Sequence, residues 1–272
     1  MVDLIDVVFE GFKDVVDWVI GLFMEGLQTG YDTLTEEMFG TPTPQTDGPF
    51  VFGTPTNDPW ITIRDALIGG EIMLIAFLLL VMCVQGRHTI RIFNIGNAYE
   101  ARKTKKTAWV GAFLIATWYW LSVLGLYIVD GFTIALMPSL SSLGNVMLNF
   151  LETSLTNPGL ALVFALIGGL SMWALEALFY IREILLYVYV YGMPIAFALG
   201  YGNIPVLSDI AMGFSKRFVP LAVLPLPAAV VFKGYDLLYS QGTLAPSSAF
   251  LRTLVAVSLP LIALYLTWKT FK

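Results

Sequence analysis

The residues of this chain that could do chemistry are charges set inside or beside apolar runs: Glu71, Asp130, Glu176, Arg182, Glu183 and Lys233. A charge at membrane depth costs several kcal/mol, so each marks a pairing, a pathway or an interface. Glu71 follows Gly69-Gly70 and stands about one turn from where its apolar run begins, close enough to reach water. Asp130 and Lys233 lie near the ends of apolar runs and read as interfacial. Glu176, Arg182 and Glu183 are deeper, in a continuous apolar stretch. They read either as a structural ion pair between helices or as part of an ion pathway. Once buried, Arg182 needs an acid partner, and Glu176 and Glu71 are the candidates.

Covalent chemistry finds little support. Ser171 in Gly168-Gly169-Leu170-Ser171 would need a base beside it, and the single histidine, His88, falls in a basic segment far along the chain. A Gly-Gly-x-Ser in an apolar helix is explained by close helix packing. Cys83 is the single cysteine, so neither an intrachain disulfide nor a Cys/His metal cluster can be assembled. A phosphate-binding Gly-x-x-x-x-Gly-Lys is absent, so any energy must come from another subunit. The expectation is a non-enzyme with no catalytic, cofactor-binding or metal-binding residues.

The elements that hold these charges are membrane helices. Of 272 residues, 57% are hydrophobic and 13% charged, about half the charge of a soluble domain. Several runs reach the roughly 20 apolar residues a helix needs to cross a hydrocarbon core of about 30 Å. The fold class is therefore all-α: an integral membrane helical bundle with about five to six transmembrane helices plus an N-terminal amphipathic helix.

Residues 1–30 form that amphipathic helix. Asp3, Asp6, Glu10, Lys13, Asp14 and Asp17 alternate with Leu4, Ile5, Val8, Phe12, Val15, Val16, Val19 and Phe23 at helical spacing. Its acidic face is wrong for anionic headgroups, which leaves Val8, Phe12, Val15 and Val19 as a partner-contact stripe. No basic n-region opens the chain, so a mature N-terminus is expected. Residues 31–65 are a Pro/Gly-rich external loop with a repeated Phe-Gly-Thr-Pro (Phe39 to Pro42, Phe52 to Pro55), a connector that has room for a β-hairpin.

The transmembrane bundle occupies 66–272. Its first two spans, Ala66 to Val84 and Ala108 to Ile128, flank a basic loop over 86–107 that holds Arg87, Arg91, Arg102, Lys103, Lys105 and Lys106. Short basic loops stay cytoplasmic, so this one orients the bundle with its N-terminus outside. Its charge follows from topology, although contact with DNA or anionic lipid phosphate fits it too. An interfacial helix follows over Leu140 to Leu155. The run from Leu160 to Leu199 is too long for one crossing and is expected to be interrupted at Arg182-Glu183. Either its second half crosses fully, giving six spans, or it turns back at Pro194 and Gly200, giving five. The second option keeps Lys216, Arg217, Lys269 and Lys272 inside, as the positive-inside rule favours. Phe218 to Phe232 and Leu254 to Trp268 complete the bundle. Their prolines, Pro220, Pro225, Pro227 and Pro260, free carbonyls that neighbouring helices or water must satisfy.

The segment Tyr180-Ile181-Arg182-Glu183 through Tyr191-Gly192-Met193-Pro194 to Leu199, followed by Lys216-Arg217-Phe218, resembles the core of the TrbL-type membrane proteins of conjugation and type IV secretion systems, including archaeal DNA-import relatives. There an Arg opens a long apolar helix, a Pro followed by small residues closes it, and a basic helix start comes next. The resemblance implies a multi-pass subunit of the cell membrane with a cytoplasmic C-terminus. It implies a homo-oligomer forming or supporting a conduit for DNA or protein, together with other secretion subunits and a separate ATPase. Two other readings remain: an autonomous ion channel or small-solute transporter, and a membrane protein of an archaeal virus or plasmid envelope system.

Overall fold

The computed structural model describes residues 2–33, 39–48, 50–93, 98–151, 157–202, 206–240, 244 and 246–271. Its helices are α1 (Val2–Thr33), α2 (Trp60–Leu67), α3 (Glu71–Phe93), α4 (Ala98–Leu136), α5 (Leu140–Leu151), α6 (Pro158–Tyr201), α7 (Leu207–Val223), α8 (Pro225–Tyr235) and α9 (Ala249–Phe271). Among the described residues, five helical segments are long and apolar enough to cross a membrane: Trp60–Gly86, Lys106–Leu136, Pro158–Tyr201, Leu207–Ser240 and Ala249–Thr270. The expected helical bundle is therefore present.

The chain forms two compact units. Unit 1 comprises Met1–Gly40, Gly131–Ile181 and Leu224–Lys272, and unit 2 comprises Thr41–Asp130 and Arg182–Val223. In unit 1, α9 packs on α5 and α8, and α5 packs on α1. The last turns of α1 are core: Leu27 and Tyr31 are buried. The helix runs past residue 30, and its end is received by the start of α6 through glycines on both sides. A Cβ at Gly26 would come within 2.6 Å of the Trp173 ring, and one at Gly168 within 2.7 Å of Leu27. Small residues at such crossings let backbones approach and gain dispersion contact, which is what holds apolar helices together once lipid removes the hydrophobic drive between them. Gly168-Gly169 is thus the packing feature the sequence suggested. Asn157 starts α6 by accepting from the Gly159 N–H at 3.0 Å, with Pro158 preset at the first helical position.

Unit 2 begins in the Pro/Gly-rich segment, where Thr46–Asp47 and Thr54–Pro55 pair as a short antiparallel hairpin. It continues into α2, whose Trp60 is 1% exposed and meets the Tyr187 ring edge-on. The first apolar run thus turns helical before residue 66. It is broken at 68–70, where Gly69 takes φ +74 and a Cβ on Gly70 would strike the Asp65 carbonyl. The segment read as a basic loop is largely helical backbone: α3 runs to Phe93 and α4 starts at Ala98. Residues 94–97 and the side chains of Arg87, His88, Arg91, Arg102, Lys103 and Lys105 lie outside the described residues, while Lys106 is exposed.

One expectation fails clearly. α6 is a single helix of 44 residues, about 66 Å at 1.5 Å per residue. It is not interrupted at Arg182-Glu183 and does not turn back at Pro194. Arg and Glu are good helix formers, and a charge in an apolar run alters environment without breaking backbone. Pro194 is tolerated for a reason described next.

Candidate functional site

Among the described residues, Arg182 is the one charged side chain that is buried, 2% exposed at the middle of α6. Its Nε donates to the Leu221 carbonyl at 3.1 Å, and one terminal nitrogen donates to the Ala222 carbonyl at 3.0 Å and to the Thr41 hydroxyl at 2.9 Å. Thr41, itself 4% exposed, donates its backbone N–H to the Asp130 carboxylate at 2.8 Å. Asp130 acts on the guanidinium electrostatically as its principal countercharge. The acid partner is therefore Asp130, bridged by Thr41, and not Glu176 or Glu71. Glu176 lies six positions before Arg182 on α6, a spacing that puts the two on different faces. Asp130, read as interfacial, is half-buried in this network.

The carbonyls chosen by Arg182 are explained by a proline. In a continuing helix the Leu221 carbonyl would accept from the N–H of residue 225, which here is Pro225 and has none. α7 ends at Val223 and α8 begins at Pro225. Leaving a carbonyl unsatisfied where water is excluded costs roughly 1–3 kcal/mol, and the guanidinium fork meets two adjacent ones. The same relation recurs at two other prolines. Pro194 frees the Val190 carbonyl, which accepts from Trp118 Nε1 at 2.8 Å. That bond, with Trp118 wedged edge-on between Phe197 and Phe218, lets α6 continue to Tyr201. Pro260 frees the Ala256 carbonyl, which accepts from the Tyr31 hydroxyl. Each donor is distant in sequence from the carbonyl it caps, so each cap fastens separate helices.

The arginine network has a second property. Thr41, Asp130, Arg182 and Ala222 each lie within two residues of a place where the chain passes from one unit to the other. All four passages thus have an anchored residue beside them within unit 2.

The other candidates are placed as follows. Glu71 is exposed in the first turn of α3, where a carboxylate favours the helix N-terminus. Glu176 is half-buried beside Gly30 of α1. Glu183 is exposed and accepts from the Tyr187 hydroxyl at 3.3 Å. Lys233 pairs with Asp236 at 3.4 Å. On α1, Phe12 and Val15 are exposed at 67% and 57%, joined by Trp18 and Leu22, whereas Val19 is half-buried. The Val8 side chain lies outside the described residues. Among the described residues, no group of three or more His, Cys, Asp and Glu side chains is arranged to hold a metal ion. Sequence reasoning missed Thr41, Trp118 and Tyr31. For Trp118 and Tyr31 the signal available was the proline four residues beyond the carbonyl each caps, which says that a donor is needed without saying which; Thr41, which accepts from Arg182, had no such signal.

The model of one protein family, described as TrbL/VirB6 plasmid conjugal transfer like protein, matches the chain over residues 1–272. No curated protein and no solved structure gives a match.

Proposed function

The chain belongs over its whole length to the TrbL/VirB6 plasmid conjugal transfer-like family, and from that membership we propose that it is a non-enzymatic, oligomeric subunit of a conjugation or type IV secretion apparatus, forming or supporting the conduit. Its setting is the cytoplasmic membrane, with the N-terminus outside and the C-terminus inside. A separate ATPase supplies energy, and the basic segment that ends α3 and begins α4 faces the cytoplasmic partners and any DNA in transit. An archaeal DNA-import setting is part of the same proposal and rests on the resemblance of the segment from Tyr180 to Leu199.

The observation that carries this reading is the apolar stripe on α1. Phe12, Val15, Trp18 and Leu22 are exposed on one side of the helix, while Glu10, Lys13, Asp14 and Asp17 occupy the other. An acidic amphipathic helix gains little from anionic lipid, so its apolar side calls for a protein cover, which we assign to a second copy or a partner subunit. The charged-pathway alternative, an autonomous channel, is less favoured because Arg182 is committed to carbonyls and a hydroxyl.

Replacing Phe12, Val15, Trp18 and Leu22 with Ser tests this directly. The wild-type chain should run as a discrete oligomer in mild detergent and support transfer. The variant should insert normally, fail to assemble and lose transfer. An assembled, transfer-competent variant would contradict the proposal, as would solute flux through the wild-type chain alone in liposomes. The orientation is checked by cysteines at Thr56, Thr104 and Thr270 in a Cys83→Ala background. An impermeant thiol reagent added outside should label only the first, and labelling at Thr270 would overturn the inside C-terminus.

A further inference from the structure

Within unit 1 the start of α6 and the start of α9 run side by side in the same direction. Phe164 meets Phe250 with ring centroids 5.5 Å apart, and a Cβ on Gly168 would lie 3.1 Å from Val257. Beyond that contact comes Pro260, whose ring removes a backbone bond and bends a helix. Past it lies a cavity of about 860 Å³. One wall is Ala174, Ala177 and Ile181 of α6, and the other is Leu261, Tyr265 and Trp268 of α9. The walls span about two turns, roughly 10 Å of helix, and both helices belong to segments that can cross the bilayer.

Two features say what fills it. The α6 wall is low because two of its residues are alanines, and the rim on α9 carries Tyr265 and Trp268, each 61% exposed. Trp and Tyr concentrate at the level of lipid headgroups, with the apolar ring inward and the polar edge outward. Next to Trp268 is Lys269, whose Nζ sits 6.0 Å from the Tyr265 ring centroid, over a residue of the groove wall. An apolar trough that ends at an aromatic rim with a cation above it is complementary to one molecule that has an apolar chain and an anionic head. The C-terminal end of α9, where the helix dipole is negative, holds the lysine favourably and repels an anion unless that lysine is present.

We propose that this groove holds an anionic phospholipid, with one acyl chain lying between α6 and α9 and its phosphate on Lys269 and the Trp268 Nε1–H. Reconstitution of the full chain into nanodiscs containing equal phosphatidylglycerol and phosphatidylcholine, followed by detergent release and native mass spectrometry, tests it. The wild-type chain should retain phosphatidylglycerol over phosphatidylcholine by about fivefold, the preference expected from one lysine near the headgroup. Lys269→Gln, an exposed change that leaves the groove intact, should retain lipid without preference. Ala177→Leu, which fills the groove, should retain little of either lipid. Equal retention of the two lipids by the wild-type chain, or an unchanged preference in Lys269→Gln, would overturn the proposal. So would an Ala177→Leu variant that keeps its lipid but loses its oligomeric mass, since that outcome assigns the groove to a neighbouring helix.

Discussion

Units 1 and 2 face one problem and solve it with different chemistry. In each, a proline inside an apolar helical bundle leaves a carbonyl without its intrahelical donor. Unit 1 caps the Ala256 carbonyl with a neutral phenol, Tyr31, carried in by the end of α1. Unit 2 caps the Val190 carbonyl with a neutral indole, Trp118, but caps Leu221 and Ala222 with a guanidinium, and must then also bring in a countercharge, the half-buried Asp130, and a buried hydroxyl, Thr41. A phenol has one donor and no charge, so its loss leaves one carbonyl unsatisfied. A guanidinium has five donors in a fixed fork and a positive charge. It ties the Pro/Gly-rich segment, α4, α6 and the end of α7 into one network, and that network fails together. Where a break must be held by a single contact, a phenol suffices. Where several chain passages lie beside the break, the charged fork does more.

The comparison is tested most strongly on its charged side. Arg182→Ala should leave Asp130 half-buried without its countercharge and two carbonyls unsatisfied, a loss of roughly 3–5 kcal/mol. Folded yield in detergent should collapse. Arg182→Lys should recover part of it, since the charge remains while the fork is lost. Adding Pro225→Ala returns an N–H to the Leu221 carbonyl and so should rescue Arg182→Ala only slightly, because Asp130 is still stranded. Wild-type yields for both single variants would mean that Arg182 is solvated, and the two units would then have nothing in common.

How much of this could be read from the residues depends on what kind of constraint is involved. Composition and run length gave the all-α membrane bundle, since a crossing helix has few alternatives. The rarity of charge in apolar runs singled out Arg182, and the prolines announced orphan carbonyls. The donors were not legible: Tyr31 and Trp118 are ordinary aromatic residues of α1 and α4, and nothing local says which carbonyl each will meet. The choice of Asp130 over Glu176 was equally hidden, because it depends on how the Pro/Gly-rich segment brings Thr41 back to the bundle. The expected interruption of α6 at Arg182 failed because a buried charge was treated as a helix end, whereas helix ends are made by backbone, as Gly69-Gly70 makes one between α2 and α3. Of the residues read as a contact stripe on α1, Phe12 and Val15 are exposed and Val19 is half-buried. Trp18 and Leu22 are exposed beside them.

The central claim is that buried side chains hold these helices by capping the carbonyls that prolines free. A double-mutant cycle on Tyr31 and Pro260, read by thermal unfolding in one detergent, tests it with little disturbance to packing. In the wild-type background Tyr31→Phe should lower stability by about 1–2 kcal/mol, since it removes the donor to a buried carbonyl and almost no volume. In the Pro260→Ala background residue 260 donates its own N–H to Ala256, and the same Tyr31→Phe change should then have an effect near zero, a coupling of about 1 kcal/mol or more. An equal loss in both backgrounds would show that the phenol acts independently of the proline and would contradict the account.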